Sequence, residues 1–146
     1  MRIAYFLIIF AFLFSCEHQN EKNKKVELIS YSYSDTCIQN NVSSVETAIV
    51  EIEIKDLIVK ITHKNANLNC CPDSLILKLY NINDTIVLYE DDGIDEVGEG
   101  CDCTCEYLMK ACIKVPHYGK YILEIRSSYF PFLIYRKEIE VPPPPG

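Results

Sequence analysis

Positive charge is scarce in this chain: 14 Lys and Arg stand against 21 Asp and Glu in 146 residues, a formal net charge of −7. Without a basic stripe to displace counterions from phosphates, nucleic acid is excluded as a partner. Helical periodicity is also missing. After residue 25 no window keeps a 3.6-residue apolar repeat for three turns, so nothing can serve as the helix of a βαβ crossover. At 146 residues the chain suits one domain and falls well short of the ~250 residues of a β/α barrel. Sequence signatures of familiar chemistry are absent too: there is no Gly-X-Ser-X-Gly elbow, no His-Glu-X-X-His, no P-loop and no Cys-X-X-Cys. The expectation is therefore a protein that is not an enzyme and carries no cofactor.

What is present begins with an address. Met1–Ser15 has one charged residue, Arg2, and then an apolar run from Ile3 to Phe14. That run is shorter than the ~20 residues of a spanning helix and matches the core of a secretory signal. It ends Leu13-Phe14-Ser15-Cys16, which resembles the bacterial lipobox. The resemblance implies a lipid thioether on Cys16, cleavage before it, acylation (palmitate, for example) of the new amino terminus, and a membrane as partner. Each buried CH₂ contributes ~0.8 kcal/mol, so several acyl chains hold a domain on a bilayer almost permanently. The expected location is the cell envelope, at the outer membrane, on its periplasmic or surface face. Residues 16–25 are polar and read as a lipidated flexible tether. Removal of the leader, whose only charge is Arg2, takes the net charge from −7 to −8.

From Val26 to Val141 the pattern is that of strands. Ala48, Val50, Ile52 and Ile54 alternate with more polar positions, after which the apolar parity flips to Leu57, Val59 and Ile61, placing a turn or bulge at Lys55-Asp56. Further strands are expected at Leu75–Leu79, Ile86–Tyr89, Cys101–Ile113, Tyr121–Ile125 and Phe132–Val141, with Val26–Tyr33 as the first. Seven or eight short strands without helices predict an all-β domain, an antiparallel two-sheet sandwich of immunoglobulin-like type spanning residues 26–141. Pro142–Gly146 cannot pair in a sheet and reads as a Pro-rich tail.

Seven cysteines come after Cys16: Cys37, Cys70, Cys71, Cys101, Cys103, Cys105 and Cys112. Three readings compete. In an oxidising envelope they are disulfide candidates. On a strand, Cys101, Cys103 and Cys105 would share a face at 6.5–7 Å per step, too far apart to bond one another, so each would reach to another segment. Cys70-Cys71 is the obvious supplier. Cys112 has the opposite parity to the triplet, and Cys37 is either its partner or the odd thiol out. Alternatively, Cys101, Cys103 and Cys105, with His63, His117 and the Cys70-Cys71 pair as further candidates, are soft ligands for Zn²⁺ or Cu⁺ in an envelope metal-binding protein. A thiol oxidoreductase is the third reading, and it lacks the helix N-terminus that usually activates the nucleophile.

From about Ile54 to Ile125 the chain resembles small bacterial envelope lipoproteins with an immunoglobulin-like sandwich. The resemblance is carried by Thr62-His63-Lys64-Asn65-Ala66, Asn69-Cys70-Cys71, Glu90, Cys101-Asp102-Cys103-Thr104-Cys105 with Tyr107, and Gly119-Lys120-Tyr121-Ile122-Leu123. It implies the same fold and location, with an envelope protein or glycan as partner, and it transfers no catalytic residue. Cys37 and Cys112 lie outside its pattern.

Other features read as structural. Glu90 to Glu106 carries eight carboxylates and no Lys or Arg, as a solvated acidic loop would. His63 continues the inward parity of its strand, as a buried imidazole. Gly119-X-Tyr121 matches the corner in which a tyrosine hydroxyl bonds back to backbone. Tyr31, Tyr33, Tyr129, Phe130, Phe132 and Tyr135 are numerous enough to make a binding face on one sheet.

Overall fold

The computed structural model describes residues 25–34, 37, 47–94, 101–128 and 132–146. The leader, Cys16, nearly all of the tether, Tyr129, Phe130, Asp95, Glu96 and Glu99 lie outside the described residues.

The alternating segments form eight strands, with no helix among the described residues: β1 (Glu27–Tyr33), β2 (Val50–Lys55), β3 (Ile58–Asn69), β4 (Ile76–Ile82), β5 (Thr85–Asp91), β6 (Thr104–Lys114), β7 (Gly119–Ser127) and β8 (Leu133–Val141). They make two four-stranded sheets, ordered β1-β6-β3-β2 and β4-β5-β7-β8. The expected two-sheet sandwich is thus present, with its own strand order. The first strand pairs with the sixth, and β5 and β7 run parallel where every other neighbouring pair is antiparallel.

Two hairpins close through two-residue loops. Asp56 and Asn83 open them with φ of 54° and 56°, a left-handed conformation that these short polar side chains tolerate. The parity flip at Lys55-Asp56 is therefore a true reversal of the chain. Between the sheets, β3 contributes Val59, Ile61 and Leu68, β6 Met109 and Ile113, β5 Ile86 and Leu88, and β7 Leu123 and Ile125, each no more than 1% exposed. Burying one such side chain fully contributes about 1.5–3 kcal/mol, so these alternating residues hold the layers together.

One irregularity sets the facing of the first cysteine pair. The β3–β6 ladder shifts register between His63 and Ala66. Before the shift the odd residues Val59, Ile61 and His63 are buried; after it the even residues Ala66 and Leu68 are. Asn65 fixes the bulge, accepting a hydrogen bond from Ile49 N (2.7 Å) and donating one to Thr47 O (3.2 Å).

Gly119 opens β7 with φ 144°, where a residue with a Cβ would be strained. It sets up the expected corner, in which Tyr121 Oη donates to His117 O at 2.8 Å while the two rings stack 5.3 Å apart. Pro142–Gly146 is exposed and outside any strand.

Candidate functional site: four sulfurs at one pole of the sandwich

The last rung of the β3–β6 ladder is Asn69 opposite Thr104. Beyond it the two chains continue side by side, Cys70 N donating to Cys103 O at 3.2 Å. Asn69 then acts as a clamp. Its Nδ2 donates to Cys101 O (2.8 Å) and its Oδ1 accepts from Cys71 N (2.9 Å), while its own carbonyl accepts from Tyr107 Oη (3.2 Å). Cys70 and Cys71 therefore lie against Cys101 and Cys103, and the four Sγ atoms are all within 4.8 Å of one another. They are paired as Cys70–Cys103 and Cys71–Cys101, each with Cα atoms 5.5 Å apart. A third disulfide, Cys37–Cys105 with Cα atoms 5.2 Å apart, joins the segment after β1 to β6.

These bonds correct the sequence reading in two respects. Cys101 and Cys103 precede β6 rather than forming part of it, and Cys103 is exposed; of the triplet only Cys105, at 1% exposure, points into the core. The staples accordingly join neighbours within one sheet, β1 to β6 and β3 to β6, and do not bridge the two layers. Cys37 pairs with Cys105, leaving Cys112 as the free cysteine among the described residues, half-buried on the opposite face of β6.

The metal set expected from the sequence is also rearranged. Cys101, Cys103, Cys105 and His63 are not gathered: Cys105 is bonded to Cys37, and His63 lies elsewhere in the core. The sulfurs that do gather are those of Cys70, Cys71, Cys101 and Cys103.

A second polar cluster lies between the sheets. His63 Nδ1 donates to Glu90 Oε1 at 2.9 Å, and both side chains are 0% exposed. His63 Nε2, Glu90 Oε2 and Tyr33 Oη are buried without a hydrogen-bond partner among the described residues. Burial, reinforced by the nearby Glu90 carboxylate, pushes the Tyr33 hydroxyl far above the usual tyrosine range. Glu90 thus corrects the picture of a wholly solvated acidic loop. The signal was present, since Glu90 continues the inward alternation of Ile86 and Leu88.

Its neighbours are engaged as well. Burial raises the Asp91 carboxyl, but the hydrogen bond and charge of Lys78, with the Gly93 N–H, outweigh it and hold the group below the usual range. Asp92, 5% exposed, accepts from Asn69 N in one sheet (3.4 Å) and from Ser128 Oγ beside the other (3.3 Å), tying the sulfur pole across the layers. On the outer face of the second sheet, the buried Glu124 carboxylate is covered by Arg126 (2.6 Å) and Arg136 (3.1 Å), a site that sequence pattern did not reveal.

The aromatic residues do not make one face: Tyr31 and Tyr33 belong to the first sheet, Tyr135 to the second, and Phe132 directly precedes β8. His117 is engaged with Tyr121 at the opposite end of the molecule from the sulfurs. Comparison with known protein families, with curated proteins and with solved structures finds no match.

Proposed function

We propose that this chain is a lipid-anchored, non-enzymatic protein of the bacterial cell envelope, whose stapled sandwich binds or supports another envelope component, a protein or a glycan. The observation that carries the reading is the conjunction of three intrachain disulfides with an apolar leader ending in Leu13-Phe14-Ser15-Cys16. Disulfides persist outside the reducing cytosol, and a lipidated cysteine would keep the exported domain at a membrane. Support for a non-catalytic role comes from the ionisable pair best suited to acid–base chemistry: His63 and Glu90 are sealed in the core, beyond reach of a substrate.

The test is expression of the full chain in a bacterium, followed by detergent phase partition and mass measurement of the amino-terminal peptide. The wild type is expected in the detergent phase with an acylated Cys16. Cys16→Ser is expected to lose the acyl mass and to retain its leader. An unmodified wild-type amino terminus, or acylation that survives the substitution, overturns the anchoring.

A further inference from the structure

We propose that Cys70, Cys71, Cys101 and Cys103 form a redox-interchangeable clasp: two disulfides when oxidised, and a single four-thiolate Zn²⁺ site when reduced. The clasp requires neither the lipid anchor nor the binding role of the domain.

Its first support is geometric. Tetrahedral zinc with Zn–S bonds of ~2.3 Å requires sulfurs about 3.8 Å apart. The four Sγ atoms lie within 4.8 Å of one another, and Cys70 Sγ and Cys71 Sγ, which are not bonded to each other, are already 3.9 Å apart. Once the two S–S bonds are broken, the formerly bonded sulfurs move apart from ~2 Å to ~3.8 Å, while the other pairs, at most 4.8 Å apart, close by no more than about an ångström around an ion.

The second support is that the arms are held by bonds that reduction does not touch. The Asn69 clamp on Cys101 O and Cys71 N, the Cys70 N to Cys103 O bond and the anchoring of Asn69 O by Tyr107 are all independent of the disulfides. The cluster is also at the surface, with Cys71 and Cys103 exposed, so both a reductant and an ion can reach it. The charge is complementary: the stretch from Glu90 to Glu106 contains no Lys or Arg, so a dication relieves the repulsion that four thiolates would otherwise meet there.

The chemistry balances. A dithiol reductant transfers two electrons and two protons to each disulfide, giving two thiols and leaving itself as a cyclic disulfide. The four thiols then bind one Zn²⁺ as thiolates and release four protons, leaving a site of net charge −2. Cys37–Cys105 takes no part in binding, because Cys105 is buried outside the cluster.

The test uses the full chain in detergent, reduced with a phosphine under nitrogen and titrated with Zn²⁺ against a chromophoric chelator, or with Co²⁺ as the spectroscopic probe. One ion per chain is expected, and the Co²⁺ form should show intense visible bands of tetrahedral thiolate ligation. Cys37→Ser/Cys105→Ser should bind as the wild type does. Cys101→Ser and Cys103→Ser should each weaken binding by more than the roughly 100-fold upper end for loss of an outer-shell partner. Affinity unchanged in those two variants overturns the assignment. So does a reduced chain that keeps its strand circular dichroism but takes up no ion, or one that loses that signal and does not regain it with Zn²⁺.

Discussion

At the scale of single residues the least ordinary arrangement is the His63–Glu90 pair, fully buried and joined by one 2.9 Å hydrogen bond. Each partner keeps a polar atom with no hydrogen-bond partner among the described residues, and a buried group in that state costs about 1–3 kcal/mol. The pair is therefore a poor source of net stability, although each member depends on the other. Glu90→Ala is expected to destabilise the domain by about 3–5 kcal/mol in urea unfolding, because it strands the imidazole. His63→Leu/Glu90→Leu, which removes both polar groups, is expected to recover most of that loss. A double variant as unstable as the single one would mean that the pair holds something besides itself.

At the scale of elements, the sulfur staples are unequal. In the chain-entropy picture a crosslink constrains the unfolded chain more when it closes a longer loop. Cys37–Cys105 spans 68 residues, and its removal as Cys37→Ser/Cys105→Ser should cost about 4 kcal/mol. Cys70–Cys103 and Cys71–Cys101 span 33 and 30 residues but are adjacent, so once one is formed the other closes only a very short loop. Removing either pair alone should cost about 2 kcal/mol, and removing both roughly 5–6 kcal/mol. Urea midpoints of the three double variants and the quadruple variant, under metal-free oxidising conditions, check this; strict additivity of the two adjacent pairs would refute it.

The extent to which these elements were legible in the sequence varied for physical reasons. The first hairpin turn was readable because Asp56 is a turn residue lying where apolar parity changes. His63 was readable as buried because it shares the parity of Val59 and Ile61. That Cys70-Cys71 meets the triplet was readable too, but which cysteine pairs with which was not. The pairings depend on the bulge at Asn65, which is fixed by bonds to Thr47 O and Ile49 N across the sheet, and no local pattern encodes it. Without that extra residue, Cys70 would have the wrong parity to meet Cys103. Glu90 was obscured by its company, an inward carboxylate at the start of a run of acids.

For the molecule as a whole, tyrosine burial sets the alkaline limit. The hydroxyls of Tyr33, Tyr107, Tyr121 and Tyr135 are all raised, chiefly by burial. Below about pH 10 these groups are protonated whether the chain is folded or not, and they make no difference to stability. Above it the unfolded chain releases protons that the folded chain retains, so stability falls as pH rises. Tyr33→Phe is expected to flatten that decline and, by deleting a buried hydroxyl with no partner among the described residues, to leave neutral-pH stability unchanged or slightly higher. Thermal unfolding from pH 7 to 11 measures both effects; a steeper alkaline decline in the variant would contradict the assignment.

The order of strands also bears on how the domain meets mechanical load. Edge strand β1 begins beside Lys114, at the end of β6 remote from the sulfurs, and finishes near Met109. A pull arriving through the segment before Glu27 would unzip β1 rung by rung, which is the weakest way to load a sheet. The bond from Cys37 to Cys105 lies just past the final rung, so peeling stops there and tension passes into the central strand. Anything tugging on the amino terminus could loosen one ribbon without unravelling the fabric behind it.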